Sequence, residues 1–174
     1  MDIVTDDGTA NYLNSTLRER IVEHLFVGKA LQWLWNRNPR VTDVEVLRSE
    51  FDAGGYDLVM SYKKIVRHIQ FKTTVLTGKA ANIKASLKLM DKPSACIIWI
   101  LVTPDLEPSS YLWLGGAPDQ PFRDIQKMKV AKHAKGNAKG VKAERPQHRI
   151  IPKGQFDELG SLDEVMERLF GQLP

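Results

Sequence analysis

The first part of the chain has helical hydrophobic spacing. Leu, Ile, Val and Phe residues recur at roughly helical intervals over residues 17–34, beginning inside the capping-box tetrad Thr16-Leu17-Arg18-Glu19. The helix-breaking sequence Asn36-Arg37-Asn38-Pro39 follows. These signals predict a long first helix that ends near Trp35.

Strand-like patterns come next. Apolar residues at strand spacing occupy 41–47, 56–60 and 65–72, with a glycine turn at 53–55 and a short Lys63-Lys64 turn between the last two. A two-residue turn pairs Tyr62 with Ile65. We therefore predict three strands, the second and third forming a hairpin.

The hairpin register determines which side chains share a face. With Tyr62 opposite Ile65, Asp57 lies directly opposite Gln70. Because side chains alternate with period 2, Lys72 lies on the same face as Gln70. The register therefore predicts that Asp57, Gln70 and Lys72 converge on one polar patch between apolar layers.

The second half of the chain predicts further elements. Apolar residues at 80, 83, 87 and 90 predict a helix over Thr77–Met90, and residues 95–102 are apolar on both faces, as in a central buried strand. Short strands are predicted at 111–114 and 149–151. A second capping box, Ser161-Leu162-Asp163-Glu164, begins a terminal helix that runs through Phe170.

This element order predicts an α/β sandwich with a mixed sheet. No internal repeat or linker divides the chain, so residues 1–174 are expected to form one domain. Its parts are a core at about 16–115, a basic segment at 123–153 and a C-terminal helix at 161–171.

Composition indicates a globular protein of the cytoplasm. The chain is 43% apolar and 26% charged, and its longest apolar run, Ala95–Val102, is far shorter than the roughly 20 residues of a membrane-spanning helix. The N-terminus has neither a basic region nor an apolar stretch, so no signal peptide is expected. The single Cys96 excludes an internal disulfide and a multi-cysteine zinc site.

Charge is distributed unevenly along the chain. Residues 1–60 carry 6 basic and 10 acidic side chains, whereas residues 123–153 carry ten basic and only two acidic ones. This segment contains the candidate nucleic-acid-binding residues Lys127, Lys129, Lys132, Lys135, Lys139 and Lys142. Lysine contacts to phosphates predict largely sequence-independent binding. A solvated basic loop is the alternative interpretation.

The hairpin patch is suited to metal-assisted phosphodiester hydrolysis. A hard cation such as Mg²⁺ prefers oxygen ligands, which Asp57, the Gln70 side chain and the Phe71 carbonyl provide. The metal activates a water, and Lys72 positions that water or stabilises charge at phosphorus. An Asp–Lys cross-strand ion pair with a structural role is the alternative.

The hairpin also carries a family resemblance. The sequences Gly55-Tyr56-Asp57-Leu58-Val59 and His68-Ile69-Gln70-Phe71-Lys72-Thr73 resemble the core motif of the PD-(D/E)XK nucleases. They are most similar to the Mrr-like restriction endonucleases, whose pattern is Gly-Ile-Asp-Leu, a gap, and then an apolar residue followed by Gln-x-Lys. The resemblance covers roughly residues 16–102. It departs from the superfamily pattern in having no proline before Asp57 and in having Gln70 where Glu is more usual.

The resemblance implies a restriction-endonuclease-like αβββαβ core, in which helices flank a mixed central sheet. It also implies a metal-dependent endonuclease that uses Mg²⁺ or Mn²⁺. Asp57 is then a metal ligand, Gln70 the partner ligand and Lys72 the catalytic lysine. Nucleases of this superfamily often dimerise to cut both strands, so a homodimer is among the expectations.

The family's acid on the first helix corresponds to Glu23 or Glu19, which lie four residues apart on one helix face. Glu23 is preferred as a metal ligand because it lies deeper in the apolar stretch. The alternative is that both are surface acids, paired with Arg20 or Lys29.

Three functions therefore compete. The leading one is a nuclease whose partner is nucleic acid, with DNA favoured over RNA, and not a membrane. The second is a catalytically inactive nucleic-acid-binding module on the same fold. The third is an interaction protein in which the hairpin patch is an ion-pair network.

Overall fold

A six-stranded mixed sheet forms the centre of the fold, with helices on one face and a second sheet on the other. The computed structural model describes residues 15–38, 43–51, 54–134, 136 and 140–172. The helices are α1 (Ser15–Arg37) and α2 (Leu162–Phe170). The strands are β1 (Val44–Arg48), β2 (Leu58–Tyr62), β3 (Ile65–Val75), β4 (Asn82–Ser86), β5 (Ala95–Val102), β6 (Pro108–Gly115), β7 (Val130–Lys132), β8 (Glu144–Pro152) and β9 (Asp157–Leu159).

The central sheet has the order β1-β2-β3-β5-β6-β9, and the second sheet has the order β4-β8-β7. Within the central sheet only β3 and β5 run parallel. The prediction of an α/β fold with a mixed sheet is therefore confirmed. The first helix, the three strands after it and the strand at 95–102 are also present, although positions 39–42 lie outside the described residues.

The predicted hairpin register is confirmed. Tyr62 pairs with Ile65 and Leu58 with Ile69, so the turn consists of Lys63 and Lys64. Lys63 has a φ of 54°, the left-handed conformation that a tight hairpin turn requires and that a lysine rarely adopts. The apolar side chains Leu58 and Met60 of β2, and Ile69 and Phe71 of β3, pack in the same core as the apolar face of α1.

The two faces of β5 belong to two different apolar cores. Cys96, Ile98 and Ile100 pack with the apolar face of α1 and with α2. Ile97 and Trp99 pack on the other side with residues of the second sheet and its loops. Burial on both faces explains why the sequence of this strand is continuously apolar.

The predicted helix over Thr77–Met90 is wrong. This segment forms β4 and a 3₁₀ helix over Leu87–Asp91. In β4, Ile83 and Ala85 are buried while Asn82 is exposed and Lys84 half-buried, which is the period of a strand. The strand forms because Ile83 pairs with Ile151 of β8, a contact that local spacing does not reveal.

The second sheet corrects two further expectations. Helices do not flank both faces of the central sheet, because the β4-β8-β7 sheet covers the face opposite α1 and α2. The αβββαβ order is therefore not reproduced between β3 and β5, where β4 and the 3₁₀ helix replace the second helix. The basic segment at 123–153 is also not simply a loop, because it contains β7 and all of β8.

The C-terminal helix is confirmed, with bounds Leu162–Phe170. Ser161 caps it as predicted, since its hydroxyl accepts a hydrogen bond from the Glu164 backbone N–H at 3.3 Å. Among the described residues, neither helix is long and apolar enough to cross a membrane.

Candidate active site

Asp57 lies directly before the first residue of β2, at the point where β3 continues without β2 beside it. β2 pairs with β3 only as far as Leu58 and Ile69, whereas β3 runs on to Val75. The Asp57 carboxylate accepts a hydrogen bond from the Phe71 backbone N–H at 2.6 Å, on the β3 edge that β2 no longer covers. The backbone of β3 thus fixes the carboxylate beside Lys72.

A small pocket on this edge brings Asp57 and Lys72 together with α1. This helix-side pocket has a volume of about 150 Å³. Its lining residues are Thr16, Glu19, Arg20, Glu23, Asp57, Phe71, Lys72 and Thr73. Both candidate acids of α1 therefore face the hairpin carboxylate and the lysine. Glu19 is exposed, whereas Glu23 is only 4% exposed.

Two arginines hold the buried Glu23 carboxylate. Arg20 Nη1 donates to Glu23 Oε2 at 3.0 Å, and Arg48 Nη1 donates to Glu23 Oε1. Burial and the neighbouring Arg20 lower the pKa of Arg48, and the nearby Asp57 carboxylate opposes that shift. The alternative interpretation predicted that Glu23 is a surface acid paired with Arg20. The pair is present, but Glu23 is buried. Arg48 was not predicted from sequence at all.

Gln70 faces a second and larger cavity. This basic cleft, between the central sheet and the second sheet, has a volume of about 540 Å³. It is lined by Gly55, Gln70, Lys72, Lys84, Ser86, Lys88, Arg145, Gln147 and His148. Gln70 is 8% exposed, and its Oε1 atom has no hydrogen-bond partner among the described residues.

The expected single patch is therefore divided between two adjoining cavities. Asp57 lines the helix-side pocket, Gln70 lines the basic cleft, and Lys72 lines both. The division arises because Asp57 lies in a bend before β2, so its side chain follows the β3 edge instead of the regular alternation.

The oxygen donors fit a hard cation such as Mg²⁺. Asp57 supplies a carboxylate, and Gln70 supplies a buried amide oxygen to which no described residue donates a hydrogen bond. The backbone positions of the two residues are neighbours at the end of the β2–β3 pairing. Leu58 pairs with Ile69, Asp57 precedes Leu58, and Gln70 follows Ile69. Within the described ranges, no group of three or more His, Cys, Asp or Glu residues is placed to hold a metal. Amide or carbonyl ligands would therefore have to complete the site, and the Phe71 carbonyl remains the predicted one.

A glycine brings this loop close to the second sheet. Gly55 has a φ of +74°, and a Cβ built on it would lie 2.9 Å from Ser86 Cβ. A side chain at this position would force apart the Asp57 loop and β4, which border the basic cleft.

The candidate nucleic-acid-binding lysines that the structure describes line neither the helix-side pocket nor the basic cleft. Lys127, Lys129, Lys132 and Lys142 are exposed, and Lys135 and Lys139 lie outside the described residues. The Lys132 carbonyl accepts a hydrogen bond from Lys84 Nζ at 2.8 Å, which connects β7 to the rim of the basic cleft. The nucleic-acid role of these lysines remains a prediction.

The sequence interpretation missed the cations of the basic cleft. Lys84 and Lys88 were assigned to a helix, and Arg145 and His148 were counted only within a basic segment. The alternation in Asn82-Ile83-Lys84-Ala85-Ser86, with small and β-branched residues, was the available signal for a strand.

We expect Glu23→Gln to lower the free energy of unfolding by about 1–3 kcal/mol, because it leaves two guanidinium groups without their carboxylate. Urea denaturation followed by circular dichroism measures this change. Glu19→Gln is the matched control, since Glu19 is exposed on the same helix face, and we expect it to change the free energy by less than about 0.5 kcal/mol. Equal losses in the two variants would contradict a structural role for the Arg20–Glu23–Arg48 cluster.

The sequence was compared with family models and with curated proteins. Neither the family models nor the curated proteins gave a significant match to this sequence. The residues and their geometry are therefore the support for a functional assignment.

Proposed function

We propose that the protein is a metal-dependent endonuclease that hydrolyses phosphodiester bonds in DNA by a metal-activated water. The observation that carries this proposal is the position of Lys72. It borders both the pocket that contains Asp57, Glu19 and Glu23 and the cleft that contains Gln70. A cation-binding carboxylate and a lysine that can face the same phosphate support phosphodiester hydrolysis.

A bound Mg²⁺ or Mn²⁺ would polarise the phosphate and lower the pKa of its bound water. Asp57 and Gln70 would hold the ion. Asp57 is oriented for this by the hydrogen bond that its carboxylate accepts from the Phe71 N–H. The Lys72 ammonium would position the attacking water or stabilise the charge that develops at phosphorus. Glu23 supports Asp57 indirectly, since it anchors Arg48 beside that carboxylate.

The direct test is plasmid cleavage by the purified protein with Mg²⁺, with Mn²⁺ and with EDTA. We expect supercoiled plasmid to be nicked in the presence of either metal and to remain intact in EDTA. Agarose gel electrophoresis measures the conversion of supercoiled to nicked and linear forms. Equal nicking in EDTA, or no nicking under any of the three conditions, contradicts the proposal.

One observation favours a second function, a catalytically inactive nucleic-acid-binding module. Both carboxylate oxygens of Glu23 are bound by arginines, and Gln70 contributes no negative charge, so Asp57 and the exposed Glu19 are the remaining acids of the helix-side pocket. Isothermal titration calorimetry with Mg²⁺ and Mn²⁺ separates the two functions. Metal binding favours the nuclease, whereas salt-sensitive DNA binding without metal binding favours the inactive module.

A further inference from the structure

The described lining of the basic cleft combines four cationic side chains with neutral ones. It contains Lys72, Lys84, Lys88 and Arg145, and no Asp or Glu is among its lining residues. Within the described part of the chain, none of these four cations forms an ion pair. Their charges are therefore available to a ligand, and the field in a cleft with protein walls concentrates anions.

The partners that these cations do have are neutral. Lys84 Nζ donates to the Lys132 carbonyl at 2.8 Å, and Arg145 Nη2 lies 3.0 Å from His148 Nε2. Because arginine only donates, the His148 nitrogen is the acceptor in this contact. These bonds orient the cations at the cleft without cancelling their charge.

The floor of the cleft points to a ligand as well. Gln70 is 8% exposed, and its Oε1 atom has no hydrogen-bond partner in the part of the chain that the structure describes, although a buried amide oxygen is normally hydrogen-bonded. Lys72 joins the cleft to the helix-side pocket and to Asp57. An extended anionic ligand bound in the cleft would therefore reach the candidate site of hydrolysis through Lys72.

We propose that the basic cleft binds the phosphodiester backbone of the nucleic-acid strand next to the scissile phosphate, through Lys84, Lys88 and Arg145. This inference rests on the proposed function, because it places the reacting phosphate between Asp57 and Lys72. The cleft volume of about 540 Å³ accommodates a short stretch of strand. Of the described residues that line the cleft, only His148 has an aromatic ring, so binding depends on backbone phosphates and not on base stacking.

The test is binding of a short fluorescein-labelled DNA strand of mixed sequence, measured by fluorescence anisotropy in EDTA over a range of salt concentrations. The double variant Lys84→Ala/Lys88→Ala is compared with Lys64→Ala/Lys153→Ala, which removes the same charge at two exposed positions outside the cleft. We expect the cleft variant alone to lose at least about tenfold in affinity, and its salt slope to fall by roughly 1.4, because each phosphate contact on a single strand contributes about 0.7.

Lys88→Glu is a second variant that should not disturb folding. The Lys88 side chain is exposed and makes no hydrogen bond or ion pair to the described residues. The variant should weaken binding while its circular dichroism spectrum stays that of the wild type. Equal affinities of the cleft and control variants overturn the proposal that the basic cleft binds the strand, whatever the result of the cleavage assay. Displacement of the strand by inorganic phosphate at equal phosphate concentration also overturns it, in favour of a small-anion site.

Failure of the nuclease proposal is distinguishable from failure of the cleft, because binding is measured without metal. A tenfold contrast between the two double variants, combined with no cleavage by the wild-type protein, retains the cleft and overturns the nuclease.

Discussion

The Lys72→Ala variant is expected to lose metal-dependent DNA cleavage by about 10²–10³-fold, the range observed when one group that stabilises transition-state charge is removed. Lys72 borders both the Asp57 pocket and the Gln70 cleft, so its ammonium is the cation shared by the two parts of the site. The measurement is the single-turnover rate of plasmid nicking at saturating protein, which separates the chemical step from weaker DNA binding.

The fold of this variant should be unaffected. Lys72 is half-buried, belongs to neither apolar core and forms no ion pair among the described residues, so its removal leaves no partner unsatisfied. We expect its free energy of unfolding to stay within about 0.5 kcal/mol of the wild type. Lys64→Ala, an exposed turn lysine of the same hairpin, is the matched control and should cleave normally. A Lys72→Ala protein that cleaves at the rate of this control would falsify the catalytic assignment.

The Asp57→Asn variant is expected to lose cleavage by a factor on the order of 10³ or more, because a metal ion supplies several kcal/mol of transition-state stabilisation and this change removes the anionic ligand. The asparagine carbonyl can still accept the Phe71 N–H, so the end of the hairpin should keep its geometry. Cleavage rate and Mg²⁺ affinity by calorimetry are the two measurements, and both should fall together.

Asp57→Ala separates the chemical role of this residue from its structural one. Alanine leaves the Phe71 N–H without its acceptor, so we expect a further loss of about 1–2 kcal/mol in the free energy of unfolding that Asp57→Asn does not show. Equal stability losses in the two variants would show that the charge of Asp57, and not its hydrogen bond to β3, maintains the edge. Full cleavage by Asp57→Asn would exclude a carboxylate ligand here.

The helix-side pocket shows which parts of a site can be predicted from local sequence spacing. The two acids of α1 were predicted to share a face because they are one helical turn apart, and both do line the pocket with Asp57 and Lys72. Their environments differ for a reason outside the helix. Arg48 comes from β1, at the edge of the central sheet, and its contact with Glu23 depends on how α1 packs against that sheet.

The sequence by itself determined the features that depend on near neighbours. The hairpin register follows from a two-residue turn and period-2 alternation, and the α2 cap follows from Ser161 and Glu164 within one turn. Each involves residues close together in the chain, so local geometry leaves few alternatives.

The tertiary structure decided the rest. Apolar residues over Thr77–Met90 satisfy a helical spacing, yet Ile83 and Ala85 form a strand because β8, far along the chain, supplies both a hydrogen-bonding edge and an apolar face. The second sheet then brings Lys84 and Arg145 close to Gln70, and the 3₁₀ helix after β4 adds Lys88, which creates the basic cleft. Pairing between distant strands selected one of two locally acceptable structures, since long-range burial outweighs intrinsic propensity.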